Sequence, residues 1–244
     1  MPSIDLVPVC AAILLVALLY SSVGHAGASG YIAVMTLFGF APGVIKPTAL
    51  VLNILVATIA SIQYWRAGHF SWSLFWPFAV LSVPLAFVGG FANLPVHWFQ
   101  VVVGIVLLFS AARFLVNPGP DGEVRAPRRG IAVGLGGALG LLAGLTGTGG
   151  GIFLTPLVLL LRWARTKSAA AVSAVFILAN STAGLAGNLL ATHTVPSVAG
   201  AFAATAILGG TLGSYFGSRR FDPVAVKRLL AVVLIIAGLK LVFA

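Results

Sequence analysis

The chain has 244 residues, of which 60% are hydrophobic and only 7% are charged, and its formal net charge is +10. A soluble domain carries about 25% charged residues, so this composition excludes a soluble globular protein and indicates an integral membrane protein. The basic residues stand in short clusters between apolar runs, as residues that orient membrane helices do. The positive charge therefore does not indicate a nucleic-acid partner.

Ten apolar segments follow one another between glycine, proline and basic residues, and each is predicted to be a helix. The fold class expected from them is an all-α polytopic membrane protein. A polar stretch between the fifth and sixth segments is predicted to be a linker. The predicted segments are 4–23, 28–41, 46–66, 71–91, 95–116, 130–146, 150–163, 167–190, 196–217 and 223–243.

Similar features occur in the same order on both sides of the linker. Each half has a glycine-rich turn, then a short segment, then a lysine (Lys46 or Lys167) that is predicted to open a long segment. A histidine in a loop follows, and a proline (Pro95 or Pro223) opens the last segment of each half. This shared order predicts two repeats of about five hydrophobic segments.

The predicted division is a first transmembrane repeat at 1–116, a cytoplasmic linker at 117–129 and a second repeat at 130–244. An odd number of segments in each repeat would invert the second repeat relative to the first. The lipid bilayer is the expected surroundings of both repeats.

The distribution of basic residues predicts the orientation. If every segment crosses the membrane, only Lys46 and Lys240 lie on one face, and the other 12 of the 14 basic residues share the opposite face. Basic residues accumulate on the cytoplasmic side, so both termini are predicted to lie outside the cytoplasm. The membrane expected is a bacterial inner membrane. The 12 are Arg66, Arg113, Arg125, Arg128, Arg129, Arg162, Arg165, Lys167, Arg219, Arg220, Lys227 and Arg228.

The second and seventh segments are too short for a full crossing. About 14 helical residues span roughly 21 Å, less than the roughly 30 Å of the hydrocarbon core. Pairing each with the segment before it gives two broken or hairpin helices at the centre of the protein, whose tips stop inside the membrane and leave the predicted orientation unchanged. Inverted symmetry would bring their glycine-rich tips together near the midplane, where transporters of this design bind their substrates.

The two glycine-rich tips are the candidate anion site. Glycine lets backbone N–H groups approach a ligand, and the helix that follows each tip offers unpaired donors at its positive end. Close packing of helices through small residues is the alternative reading. The candidate substrate-binding residues of the two tips are Gly24, His25, Gly27, Ser29, Gly30, Thr146, Gly147, Thr148, Gly149 and Gly150.

Polar side chains inside the long apolar segments are candidates for lining the route. Asn53 and Asn180 are chosen because a buried amide is costly in lipid and should face the bundle interior; hydrogen bonding between helices is the alternative role. His25 could donate to an anion or take up a proton. Lys46 and Lys167 could attract anions at the two mouths or extend to the lipid headgroups.

The sequence resembles the sulfite exporter TauE/SafE family of membrane permeases over nearly its whole length. The resemblance rests on the runs Gly-His-Ala-Gly-Ala-Ser-Gly-Tyr at 24–31, Lys-Pro-Thr-Ala at 46–49 with Asn53, and Gln-Tyr-Trp-Arg-Ala-Gly-His-Phe at 63–70. In the second half it rests on Leu-Thr-Gly-Thr-Gly-Gly-Gly-Ile at 145–152 and the segment with Ser173 and Asn180. The resemblance implies a small anionic sulfur substrate such as sulfite, sulfoacetate or another organosulfonate.

The function expected is secondary transport of such an anion, outward, by alternating access; a passive anion channel is the alternative. The four acids stand near segment ends or in the linker, so no carboxylate relay for a coupling ion is expected within the membrane. Uniport driven by the membrane potential and proton coupling through His25 or the substrate both stay open. No set of nucleophile and base, no cofactor motif and no metal-ligand spacing occurs, so no enzyme, cofactor or metal is expected.

Overall fold

A computed structural model describes residues 6–92, 97–116, 118, 121–193 and 196–243. Within those ranges the protein has ten α-helices, one π-helical turn (Phe216–Arg220) and no strand. The helices are α1 (Leu6–Ser22), α2 (Ala28–Leu37), α3 (Pro42–Arg66), α4 (Trp72–Phe91), α5 (His97–Val116), α6 (Arg129–Thr146), α7 (Gly151–Leu160), α8 (Thr166–Thr192), α9 (Val198–Tyr215) and α10 (Pro223–Phe243).

The ten helices correspond in order to the ten predicted segments, but some of the boundaries were wrong. Helix α3 begins at Pro42, because proline has the backbone angle that suits a first helical turn; Lys46 therefore lies one turn inside the helix. Helices α2 and α7 end earlier than predicted, where Gly39 and Arg162 adopt φ values of 74° and 55° that stop a right-handed helix. Pro95 and the ends of some predicted segments lie outside the described residues.

Five helical stretches are long and apolar enough to cross a membrane within the described ranges. They lie in α3, α4, α6, α8 and in α9 with its π-helical turn. Shorter apolar stretches are α1, α2, α7 and Leu107–Val116 at the end of α5. Large apolar side chains such as Phe109 and Leu208 are more than half exposed on the outer surface, where lipid would cover them. The fold is that of a multi-pass membrane protein.

Helices α3 and α8 pack against each other at the centre of the bundle, and α5 packs on α10. The most extensive of the remaining helix contacts have a counterpart when α1–α5 are exchanged in order with α6–α10. The contact of α4 with α6 becomes that of α9 with α1, and the contact of α4 with α8 becomes that of α9 with α3. The two halves of the chain are thus packed into each other rather than side by side.

Two rows of glycines allow close contacts between the halves. On α6, a Cβ at Gly136, Gly140 or Gly144 would overlap a carbonyl oxygen of α4. From α9 into the π-helical turn, a Cβ at Gly209, Gly213 or Gly217 would overlap a carbonyl oxygen of α1. Each row has a spacing of four residues, so its glycines lie on one helix face and let the backbones approach.

Helices α1 and α2, and likewise α6 and α7, are joined by short glycine-rich turns. Helices α2 and α7 each have 10 residues, which corresponds to roughly 15 Å, half of a hydrocarbon core. Both begin in the interior of the protein, because Ala28 and Gly151 are buried. The turns are therefore inside the bundle, next to the central helices α3 and α8.

Candidate functional site

The first glycine turn leads from α1 into α2. Gly24 and Gly27 have φ values of 78° and 103°, in the left-handed region that favours glycine. A Cβ at Gly24 would overlap the backbone of Ala170 on α8. The backbone N–H of Ala28, at the first position of α2, donates a hydrogen bond of 3.0 Å to the Oδ1 atom of Asn53. The turn is thus held between the two central helices.

The second glycine turn leads from α6 into α7. Gly147, Gly149 and Gly150 have φ values of 73°, 74° and 80°. A Cβ at Gly149 would lie 2.7 Å from Ser181 Oγ and 2.8 Å from Asn53 Nδ2. Three left-handed residues within four positions form a turn that places the start of α7 against the same two helices.

Asn53 connects the two turns. Its Oδ1 accepts from the start of α2, while its Nδ2 lies 3.3 Å from the carbonyl oxygen of Thr148 and 3.2 Å from Ser181 Oγ. The side chain is completely buried. One amide, with an acceptor at one end and a donor group at the other, therefore links both candidate tips to α3 and α8.

His25 connects the first turn to α7 and α8 in a second way. Its Nε2 lies 2.8 Å from Thr155 Oγ1, and the Thr155 hydroxyl donates a hydrogen bond of 2.6 Å to Ser173 Oγ. The imidazole is 2% exposed, and its Nδ1 has no hydrogen-bond partner among the described residues. The resulting chain of three polar side chains crosses the interface between the halves.

The predicted hydroxyl donors of the turns already have partners within the protein. Ser29 donates a hydrogen bond of 3.1 Å to Tyr20 Oη. The hydroxyls of Thr146 and Thr148 lie 2.8 Å apart, and Thr146 also donates to the carbonyl of Leu142. In this conformation these hydroxyl groups are hydrogen-bonded within the protein, so an anion would have to displace their present partners.

Gly30 lies in the first turn of α2, and its surroundings are apolar. A Cβ there would lie 2.5 Å from the nearer methyl group of Val16 and 3.3 Å from the ring of Tyr20. This position matches the alternative reading, in which a small residue permits close packing of two helices.

Asn180 does not share the position of Asn53. Its Oδ1 accepts a hydrogen bond of 2.8 Å from Ser82 on α4, while its buried Nδ2 has no partner among the described residues. The neighbouring residue, Ser181, is the one that contacts Asn53 and Gly149. Consecutive helical residues point in directions about 100° apart, and this difference separates the two side chains.

Three residues outside the predicted site belong to this region: Thr155, Ser181 and Tyr31. Ser181 could have been found, since it follows Asn180 in the same polar stretch. Thr155 stands in the apolar run of α7, and nothing in the pattern distinguishes it. Tyr31 belongs to the 24–31 run, but an aromatic residue at the start of an apolar helix suggests ordinary packing.

The cations at the ends of the long helices contact backbone carbonyls. Lys46 Nζ lies 3.3 Å from the carbonyl oxygen of Gly90, and Lys167 Nζ lies 3.3 Å from that of Ser218. His69 Nε2 lies 3.0 Å from the same Ser218 oxygen. Partial burial lowers the pKa of His69, and the nearby charge of Lys167 lowers it further, against the opposing effect of the Ser218 carbonyl.

The site region is closed to the outside in this conformation. His25, Ser29, Asn53 and Thr148 are each no more than 6% exposed. Two open cavities, of about 250 and about 580 Å³, lie instead beside the linker and the α7–α8 connection. The described residues contain no group of three or more His, Cys, Asp or Glu side chains that could hold a metal ion.

The chain has a clear counterpart among protein families. The model of the family described as "Sulfite exporter TauE/SafE" matches residues 9–241. The chain belongs to the TauE/SafE family. It is also similar to a protein of Sinorhizobium fredii (strain NBRC 101917 / NGR234) named probable membrane transporter protein y4hK. That identity is 37% over 237 residues, which cover 95% of this chain and 96% of the relative.

No solved structure gives a significant match to the chain. Membership of the TauE/SafE family and the named relative indicate that the protein is a membrane transporter. The match includes both glycine turns and all the central residues described above. It therefore places the buried region around Asn53 inside the part of the chain that the family shares.

Proposed function

We propose that the protein is a secondary transporter that moves a small sulfur-containing oxyanion, such as sulfite, sulfoacetate or another organosulfonate, out of the cell by alternating access. The observation that carries the proposal is the position of Asn53, whose amide bonds to both glycine turns at once. Each turn precedes the N-terminus of a short helix, where backbone N–H groups lack helical partners and the dipole favours an anion.

The substrate site proposed is the space that opens between the two turns when they separate. Asn53 is already bonded to Ala28 N–H and the Thr148 carbonyl. An anion in this space would accept hydrogen bonds from the N–H groups of the turns, and Asn53 would rotate to point its Nδ2 donor toward the anion. The sulfur anion as substrate rests on the family description.

The inverted arrangement of two repeats, 1–116 and 130–244, is part of the proposal. It is supported by the reciprocal packing of α4 on α6 and α1 on α9, and by the equal length of α2 and α7. Rocking of one repeat against the other would open the region around Asn53 to each side in turn. The buried state described above would be the closed intermediate of that cycle.

The driving force proposed is the membrane potential, with proton coupling through His25 as the second option. A potential that is negative inside favours export of an anion by about 2.3 kcal/mol per charge per 100 mV. The hydrogen-bonded chain from His25 through Thr155 to Ser173 supports the second option, because it joins a titratable group to two helices of the opposite repeat, α7 and α8. The orientation proposed has both termini outside, at a bacterial inner membrane.

Flux measurements in proteoliposomes test the proposal. The purified protein is reconstituted, and uptake of sulfite, sulfoacetate, taurine, thiosulfate and sulfate is followed at imposed potentials of both signs. We expect saturable flux of at least one sulfur anion that reverses with the potential. If protein that melts cooperatively carries none of these anions, the proposal is refuted. Unitary currents too large for a carrier would show that the protein is a channel instead.

A further inference from the structure

We infer that the hydroxyl of Tyr31 is a substrate-binding donor at the first glycine turn. The inference rests on the proposed function and adds a residue to its site. Tyr31 lies in the first turn of α2, four residues after Gly27, and its side chain is completely buried. It stands in an apolar cluster with Ile13, Met35 and Phe202.

The ring of Tyr31 folds back over the start of its own helix. Its backbone N–H donates a hydrogen bond of 2.9 Å to the carbonyl of Gly27. A Cβ at Gly27 would lie 2.8 Å from the Cζ atom of Tyr31 and 2.9 Å from its hydroxyl oxygen. The hydroxyl is therefore beside the glycine turn, at the positive end of α2.

This hydroxyl has no hydrogen-bond partner among the described residues. The other two fully buried tyrosines do have partners. Tyr64 donates a hydrogen bond of 2.7 Å to the carbonyl of Ser22, and Tyr20 accepts one of 3.1 Å from Ser29. Tyr31 is thus distinguished from the other two by a polar group that is buried at the turn and unused.

A buried hydroxyl without a partner destabilises a protein, and phenylalanine would fill the same space without that cost. A tyrosine at this position is explained by a ligand that supplies the missing acceptor. The phenol O–H is a donor, the turn lies at a helix N-terminus, and a negatively charged oxygen accepts more strongly than a neutral one. The chemical class that fits is a small oxyanion whose oxygen reaches the turn beside Gly27.

The test compares two identical substitutions, Tyr31→Phe and Tyr64→Phe. For Tyr31→Phe we expect the half-saturating concentration of sulfite and of sulfoacetate in proteoliposomes to rise about tenfold, the size of one hydrogen bond to a charged group. We also expect its melting temperature in detergent to rise by about 2 °C, because the substitution removes a buried hydroxyl that has no hydrogen-bond partner. For Tyr64→Phe we expect a lower melting temperature and a half-saturating concentration within about twofold of wild type.

A half-saturating concentration for Tyr31→Phe equal to that of the wild type would overturn the inference and leave the proposed function standing. Absence of any flux in the wild type would overturn the proposed function, and the inference with it. If Tyr31→Phe does not fold, 3-fluorotyrosine is placed at position 31 of the full chain. A change of its fluorine resonance on addition of sulfite, and not of chloride, supports the contact, and an unchanged resonance refutes it.

Discussion

The two glycine turns have similar positions in the two halves of the chain, but they contact the opposite half through different groups. The first contains His25, whose side chain reaches Thr155 in the other half. The second has no ionisable side chain, and its Gly149 fits against Ser181 Oγ and Asn53 Nδ2 with no room for a Cβ. Both turns are closely packed and hydrogen-bonded to Asn53, but only the first reaches the other half through a titratable side chain. Changes of volume should therefore disturb either turn, whereas a change of pH should act on the first.

The largest effect is expected at the second turn, from Gly149→Ala. The added Cβ would lie 2.7–2.8 Å from three neighbouring side-chain atoms, so either the turn or Asn53 has to move. We expect transport of the sulfur anion to fall at least a hundredfold, because misplacing a binding group by about 1 Å has that scale of consequence. Initial flux in proteoliposomes measures it.

Gly39→Ala is the matched control for this change. Gly39 has the same φ of 74°, and a Cβ there would meet no atom within 4 Å. The control has the same backbone strain, about 1–2 kcal/mol for a left-handed alanine, without the contact. Equal flux in the two variants would show that strain, and not the space beside Asn53, is responsible.

The amide that joins the two turns should give the next largest effect. Asn53→Ala removes the acceptor of Ala28 N–H and the donor to Thr148 and Ser181. We expect flux to fall between tenfold and a hundredfold and the melting temperature to fall by several degrees, because buried partners are left unpaired at about 1–3 kcal/mol each.

Gln63→Ala is the control for Asn53→Ala, because Gln63 is an amide on the same helix whose Nε2 donates to the carbonyl of Thr211, away from the turns. If the two variants lose the same amount of flux, Asn53 has no special role and the glycine turns are a packing device.

At the first turn, His25→Gln separates the two driving forces. Glutamine keeps a hydrogen-bonding group near Thr155 but cannot take up a proton. If transport is coupled to protons through His25, flux driven by a pH gradient should disappear, while flux driven by the potential should fall less than tenfold. If both fluxes survive at wild-type levels, the chain from His25 to Ser173 is structural. Flux at fixed potential with and without a pH gradient gives the answer.

The smallest effect is expected outside the site, at Asp121 in the linker. Its carboxylate accepts hydrogen bonds of 2.9 and 2.5 Å from the backbone N–H and hydroxyl of Thr166, at the start of α8, and forms an ion pair of 3.1 Å with Lys227 on α10. Burial alone would raise the pKa of Asp121, but these partners together hold it below its usual value.

Asp121→Asn should therefore lower the melting temperature by about 2–4 °C near pH 7 and leave the half-saturating concentration within about twofold of wild type. Because the folded pKa lies below the unfolded value of about 3.9, the stabilisation is fully present above that pH. It is lost as the pH falls through the folded pKa. The melting temperatures of the two proteins should thus differ at pH 7 and approach each other as the pH falls well below about 3.9; a difference that stays constant with pH would contradict the charge-based explanation.

Much of the fold could be predicted from the sequence, because glycine, proline and basic residues mark the ends of membrane helices directly. The exceptions have local causes: the proline at position 42 begins α3 a turn before Lys46, and Gly39 and Arg162 end α2 and α7 early by turning left-handed. Membrane helices need internally satisfied backbones, so their existence is easier to predict than their partners.

The contacts of the site were harder to predict. Asn53, which was predicted from the sequence, contacts both turns. Which of the neighbours Asn180 and Ser181 faces Asn53 depends on the rotation of α8 about its axis. Only the packing of α8 on α3 and α4 decides that Ser181 meets Asn53 while Asn180 meets Ser82. Thr155 carries no signal in an apolar run, since a hydroxyl on a membrane helix commonly bonds its own backbone.

The row of glycines on α9 has a consequence for how the protein is made. Helix α1 emerges from the ribosome well before α9, the helix against which it packs through Gly209, Gly213 and Gly217. Likewise α4 must wait for α6. The amino-terminal half therefore enters the bilayer with two helix faces uncovered, and its final packing follows insertion as a separate stage. A ribosome that stalls in the linker would leave a chain already inserted but unable to complete its native packing.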